Sequence, residues 1–395
     1  MILSVCTNWD HELIERLEGT PIGDFYGKAA ADPVGGGRAA FTQPHVTRRH
    51  MEAHIRLVRA RGYGFTYLLN AACMGNRELT RRGHRELLAQ AEWAAAAGAT
   101  AVTVALPFVA EALRRRFPQL AIHVSTFAEI DCLTRARFWD EAGAAVLTLS
   151  AVRVNRDFAF LRRLVPAVRA SPQLILNNAC LRDCPMSLSH PAALSHASQT
   201  GHRSRGMLVD YSRLRCIQRK IERPEDLISA DWIRPEDVAR YEALGITRFK
   251  VVDRTFGTPH LERIVRAYAA RRHDGDLMEL LSHFPSGHAD GDLAAKTRFL
   301  RYFLRPAEIN PLRLGALSLI AEPLPLRIDN RRLDGFLDHF ERHDCRAVEC
   351  EACPYCRQVA RQVVTVDEPR RRELLRRHAE LRGALESGRF FGYRG

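Results

Sequence analysis

Eight short apolar runs alternate with longer amphipathic segments through the first two-thirds of the chain, and this alternation constrains the fold more than any other feature. The pattern predicts strands at Ile2–Cys6, Ile22–Tyr26, Phe65–Asn70, Ala101–Ala105, Ala121–Ser125, Ala145–Leu149, Leu174–Asn178 and Ile246–Val252. Helical periodicity lies between them, as in Glu78–Ala97 and Pro259–Arg271. Parallel strands buried on both faces should read as near-continuous apolar runs, and most of these do, although Asp24 interrupts the second. Eight βα units over roughly 270 residues match a (β/α)8 barrel of the TIM type. A doubly wound open sheet would give the same alternation.

The barrel is expected to span residues 1–275, with an irregular insertion at about 179–234 before the last strand. Residues 276–395 have another character: helical segments, a cysteine-rich stretch and a terminal Arg- and Glu-rich helix predict a smaller, mainly helical domain. Ser282–Asp292, rich in Gly, Pro, His and Asp, reads as the linker.

The start of the chain lacks the charged front, apolar centre and cleavage site of a signal peptide. Its most apolar region, Leu87–Leu113, is broken by Gln90, Glu92, Gly98, Pro107 and Glu111, which excludes a membrane span there. A cytoplasmic setting follows, and in it ten cysteines point to metal rather than to disulfides. The net charge of +13 comes almost wholly from arginine, with only Lys28, Lys220, Lys250 and Lys296 as lysines. No stretch interleaves basic and aromatic residues as a nucleic-acid reader would.

In a barrel, chemistry sits on the loops after the strand C-termini. Cys6 ends the first strand, Cys73 follows the third, and Cys180 and Cys184 follow the seventh. Cys216 lies in the insertion, so five cysteines map to one face. Cys180 and Cys184, with three residues between them on a loop, can converge on one centre, and thiolates are the soft ligands of iron–sulfur clusters. A radical S-adenosylmethionine motif needs a third cysteine where Ser187 stands, so that pattern fails. Cys132 reads as an ordinary helix-interior thiol. His190 and His196, with His202 beyond, could bind substrate or move protons. Lys250, Asp253 and Arg254 end the last strand, where a Lys and an Arg suit a carboxylate or phosphate. Asn8, Asn70 and Glu78 lie at other strand ends.

Cys345, Cys350, Cys353 and Cys356, separated by four, two and two residues, form a compact four-thiolate set. It fits structural zinc and overlaps ferredoxin-like spacing, with Pro354 after Cys353, so zinc and a second cluster both stand. Its expected role is to staple the small domain. There is no P-loop, dinucleotide fingerprint or nucleophile elbow, and Gly35–Gly37 reads as a bare glycine run. His339-Phe340-Glu341-Arg342-His343 is not the zinc-protease motif and is not expected to present both histidines on one helix face.

Asn177-Asn178-Ala179-Cys180 through Cys184-Pro185, then His190 and Ser195-His196, resemble the collagenase-like peptidase family, family 32 of the unassigned (U) class. Asn8-Trp9-Asp10, Tyr26-Gly27, Leu69-Asn70 through Cys73 to Glu78, Trp232–Asp237 and Phe249–Arg254 agree with it, so the resemblance covers roughly residues 1–275. The terminal cysteines look like an extension of one branch. Better understood relatives are iron–sulfur proteins that hydroxylate ubiquinone precursors, transfer RNA or ribosomal RNA without dioxygen, with prephenate implicated. The resemblance implies a four-iron, four-sulfur cluster on Cys180, Cys184, Cys216 and a fourth ligand, Cys73 or alternatively Cys6.

The combined expectation is an iron–sulfur enzyme acting by oxygen-independent hydroxylation, or a related redox or lyase step, on a small molecule or RNA. His190, His196, Lys250, Asp253 and Arg254 would serve it. A metal-containing peptidase is the second reading. A non-catalytic or RNA-binding subunit, paired with a second barrel protein, is the third.

Overall fold

The computed structural model describes residues 1–282 and 293–391. Strands β1 (Ile2–Cys6), β2 (Ile22–Gly27), β3 (Gly64–Leu69), β4 (Ala101–Val104), β5 (Ala121–Val124), β6 (Val146–Thr148), β7 (Ser171–Ile175) and β8 (Arg248–Val251) pair in sequence order. All are parallel, and β8 returns to β1 with Lys250 opposite Ser4. The sheet is therefore a closed barrel rather than an open one.

Helices α1 (Glu12–Arg16), α2 (Arg48–Ala60), α3 (Arg81–Ala97), α4 (Pro107–Arg116), α5 (Leu133–Glu141) and α6 (Phe158–Leu164) follow the first six strands. The insertion after β7 holds α7 (Ser189–His196), α8 (Tyr211–Glu222) and α9 (Glu225–Ser229). Then come α10 (Val238–Glu242) before β8 and α11 (Thr258–Ala270) after it. Cys132 is the N-cap residue of α5, not an interior position as its sequence suggested, because the helix starts only at Leu133.

The strands depart from the expected apolar runs. Leu3, Val5, Phe25, Phe65, Val102, Val104 and Phe249 are buried and alternate with Ser4, Asp24, Thr66, Thr103 and Lys250. Period-two alternation sends the first set outward against the helices and the second into the barrel. Asp24 belongs to that polar interior. It accepts hydrogen bonds from Ser4 Oγ at 2.5 Å and Thr66 Oγ1 at 2.9 Å, and Arg248 Nη1 lies 3.9 Å away. The residue that looked like a flaw in the second strand cross-links β1, β2, β3 and β8. Between the neighbouring strands β6 and β7, Thr148 Oγ1 donates to Gln173 Oε1 at 3.0 Å. Burial, with the Lys250 and Arg248 cations, holds the His123 imidazole down at about 4.

The remaining elements are α12 (Leu293–Phe303), β9 (Leu326–Ile328), α13 (Asp338–Arg342), α14 (Tyr355–Val363), β10 (Val364–Val366) and α15 (Glu368–Glu386). β9 and β10 pair antiparallel. The stretch read as a linker lies, beyond Ser282, outside the described residues. One apolar core runs from the barrel into this C-terminal segment. Trp232 stacks on Phe336 with centroids 5.4 Å apart. Arg234 holds Asp237 through Nε at 2.8 Å and Nη2 at 3.1 Å, and donates from Nη1 to Asn330 O at 3.0 Å. Among the described residues no helix is long and apolar enough to cross a membrane.

Replacing Asp24 by Leu strands two hydroxyls and leaves Arg248 without its carboxylate. The Asp24→Leu protein should lose about 3 kcal/mol or more of unfolding free energy, read as a lower urea midpoint. An unchanged midpoint would mean that Asp24 does not tie the four strands together.

Candidate functional site: the barrel mouth and two cysteine sets

The mouth is built by a loop after β2. Lys28 Nζ lies 2.9 Å from Asp32 Oδ2, and Asp32 Oδ1 caps the N–H groups of Val34 at 3.0 Å and Gly35 at 2.7 Å. Gly35 has φ +80°, and a Cβ there would collide with the Ser195 carbonyl of α7. A Cβ on Gly36 would meet Asn70 Oδ1 at 2.8 Å. The glycines therefore let the loop pass between α7 and the barrel rim, and they deliver Arg38 to the mouth. There Arg38 Nε contacts both carboxylate oxygens of Asp253, at 3.0 and 2.9 Å, and Nη2 adds a further bond. Thr255 N donates to Asp253 Oδ1 at 3.1 Å. Burial would raise the Asp253 carboxyl, but Arg38 outweighs it and keeps the group below its ordinary range.

This frame encloses a cavity of about 170 Å³, whose walls include Cys180, Cys184, His190, Lys250, Asp253 and Arg254. Lys250 Nζ sits 3.9 Å from the centroid of the Tyr26 ring. Among the described residues no carboxylate lies within ion-pair distance of it, and burial lowers its pKa to about 8. Arg254 is buried, and its charged form is disfavoured by burial first and by Arg38 second. His190 Nε2 lies 3.1 Å from Asp210 Oδ2. Burial pushes the Asp210 carboxyl up, but that imidazole outweighs it and holds it low. Asn70 Oδ1 is buried here without a hydrogen-bond partner.

Cys180 and Cys184 form one wall, with Cys216 of α8 within electrostatic reach of both thiols. Lys220, one turn further along α8, is fully buried, and its Nζ has no hydrogen-bond partner. It too acts on both thiols. Burial, then Cys216, pushes the Cys180 thiol up to about 11. An orphaned ammonium beside three thiols fits an anionic, sulfur-ligated centre, because ligation removes the thiol protons and supplies the missing negative charge.

Other residues singled out in the sequence lie elsewhere. His196 is not among the cavity residues; its ring stacks on His202 with centroids 4.6 Å apart. Cys73 Sγ accepts from Gly75 N at 3.3 Å, and its carbonyl accepts from Gln199 Nε2 at 2.7 Å, also away from the cavity wall. Cys6 is fully buried among Asp253, Arg254, Tyr26 and Arg38, and burial raises its thiol to about 12. Asn8 donates to Thr258 Oγ1 at 3.0 Å and to Phe256 O at 3.3 Å, a structural tie. Glu78 is likewise not a cavity residue.

The second set lies where the C-terminal segment meets the insertion. The Cys356 thiol is pushed up to about 11, by burial first, with Cys345, Cys350 and Cys353 adding to it and Arg156 opposing. All four cysteines line one cavity of about 230 Å³ with His339, His343 and Arg182. The two histidines do not share a helix face, because His343 caps the end of α13 in an extended conformation, yet they come together. Their rings stack 4.3 Å apart, and His343 Nδ1 lies 3.0 Å from the His339 carbonyl oxygen. Among the described residues no three His, Cys, Asp or Glu side chains draw in to the spacing of a single bound metal ion. Arg38, Asp210, Lys220, Arg156 and Arg182 were not singled out from the sequence.

The peptidase family U32 model matches residues 33–151. An uncharacterized protease of Methanocaldococcus jannaschii is 27% identical over 337 residues, covering 84% of this chain and 86% of that one. The solved structure of a U32 peptidase is 18% identical with a TM-score of 0.47, covering 64% of this chain and 92% of that one. A mandelate oxidase mutant, at 13% identity and a TM-score of 0.35, covers 68% of each chain. The resemblance carried by the sequence motifs thus recurs in direct comparison, as a similarity to the U32 peptidase family over residues 33–151 and to the M. jannaschii protein over most of the chain.

Proposed function

We propose that this chain is an iron–sulfur enzyme that modifies a small anionic substrate at the barrel mouth, by oxygen-independent hydroxylation or a related redox or lyase step. One observation carries the reading: Cys180 and Cys184 wall a cavity into which Lys250 and Arg254 bring positive charge, and behind that wall Cys216 and the orphaned Lys220 ammonium lie within electrostatic reach of both thiols. The three cysteines would hold the cluster, which supplies Lewis acidity and one-electron chemistry when bound. Neither Cys73 nor Cys6 is brought to the Cys180 wall, so the fourth ligand stays open.

The protein's own groups have separable tasks. Arg254 and Lys250 hold an anionic group of the substrate, because Asp253 is already engaged by Arg38. His190, oriented by Asp210, takes or gives a proton at Nδ1. Asn70 Oδ1 is positioned to accept a hydrogen bond from a substrate hydroxyl. The cavity volume suits a small organic acid, and a polymer would have to enter by one extruded group.

A peptidase is the second reading, favoured by the name of the M. jannaschii relative. Against it, burial raises the Cys180 and Cys184 thiols, the reverse of an activated nucleophile. Among the described residues no serine or cysteine is hydrogen-bonded to His190. Turnover of casein or gelatin by metal-replete protein would favour this alternative.

Two outcomes are expected. Anaerobically purified Cys180→Ser should lose the iron and sulfide of the barrel site; an unchanged iron count would end the cluster assignment. Binding of a small dicarboxylate such as malonate should weaken as pH rises through about 8, because Lys250 is charged below that value and neutral above it. In calorimetry, Lys250→Met should bind roughly tenfold more weakly at pH 7 and lose this inflection.

A further inference from the structure

We infer that Cys345, Cys350, Cys353 and Cys356 form a second iron–sulfur site rather than a zinc staple, and that it lies alongside the barrel site. The site assignment stands on its own; its relation to the barrel site rests on the function proposed above.

The first observation is the charge around the thiols. Arg156 is 1% exposed, and its guanidinium lies over the rings of Trp232 at 4.4 Å and Phe336 at 4.8 Å. Nη1 donates to Ile228 O, while Nε and Nη2 are buried without hydrogen-bond partners. Arg182 also leaves Nη1 buried without a hydrogen-bond partner, 3.8 Å from Asp231 Oδ1. Arg156 acts on the Cys356 and Cys345 thiols, and Arg182 on Cys345 and Cys350. Arg182 already lies within ion-pair distance of Asp231 and Asp183, but among the described residues Arg156 has no carboxylate so close, and a buried guanidinium with idle donors is costly unless an anionic group takes it up, as four thiolates around a metal centre would.

The second observation is the size of the set. The four thiols influence one another, yet none of the groups of three closes to single-ion spacing. A cluster of several irons holds its thiolates further apart than one zinc ion does. The third is position. Arg182 is the middle residue of the Cys180–Cys184 loop, whose ends face the barrel cavity while Arg182 reaches the C-terminal cysteines. Two extended residues span at most about 7 Å and an arginine side chain reaches about as far again, so this loop tethers the two thiol sets to a separation on the order of 15 Å. A structural zinc has no use for that proximity, whereas two redox centres so placed can exchange electrons.

The test is anaerobic purification of the full chain with iron, sulfide and zinc counted, followed by electron paramagnetic resonance of the dithionite-reduced protein. Two clusters' worth of iron is expected, with signals broadened by mutual magnetic interaction. Cys353→Ser/Cys356→Ser should lose about half the iron and leave one sharpened signal. Cys180→Ser/Cys184→Ser should lose the other half, and the failure of this variant alone would sink the barrel reading while leaving the C-terminal site intact. Arg182→Gln, which keeps all the cysteines, should lower the reduction potential of the C-terminal signal, because a positive charge beside it is lost. One zinc per chain, with iron content indifferent to Cys353→Ser/Cys356→Ser, overturns the inference. Two clusters without magnetic interaction overturn the adjacency.

Discussion

Asp253 and Arg38 form the contact on which the mouth depends. The bidentate pair fastens the loop after β2 to the end of β8, and so closes the cavity between the first and last parts of the barrel. It also decides the charge of that cavity. With the Asp253 carboxylate occupied by Arg38, Arg254 and Lys250 face the space with no other carboxylate at ion-pair distance among the described residues. A mouth arranged this way selects for anions before any catalytic chemistry begins.

The same economy recurs at both thiol sets. Lys220 beside Cys180 and Cys184, and Arg156 beside the C-terminal four, are buried cations with idle donors. Left alone, each is a destabilising feature of the folded chain. Set against sulfur-ligated centres, as proposed above, they would become compensating charges, and the two sites would then belong together rather than as a catalytic site and a distant clamp.

Much of the architecture was legible because period-two and helical patterns do not depend on tertiary context. The eight βα units, the insertion and the cysteine positions relative to strand ends follow from it, whereas closure, which an open sheet's alternation would match equally well, shows only in the pairing of β8 with β1. The interior was less legible. Asp24 looked like a weakness because strand pattern reports burial but not cross-barrel hydrogen bonding. The glycine run hid its purpose because close backbone approach to α7 is a property of the folded state. Arg38, Arg156 and Arg182 were lost among the many arginines. The lysines offered a usable signal: in a chain with only four, Lys28 and Lys220 are buried and Lys250 lines the mouth. A compact ammonium was kept at these interior places while guanidinium served nearly everywhere else.

The loop from Cys180 to Cys184 also bears on how the protein is made. Synthesis delivers the barrel cysteines first, then β8, which seals the cylinder, and only later Cys345 to Cys356. For much of translation Arg182 therefore emerges with its sulfur partners still unsynthesised. On the proposed reading, the chain order alone would give maturation a sequence, in which the earlier site is shaped on a loop whose backing from the C-terminal segment is made last.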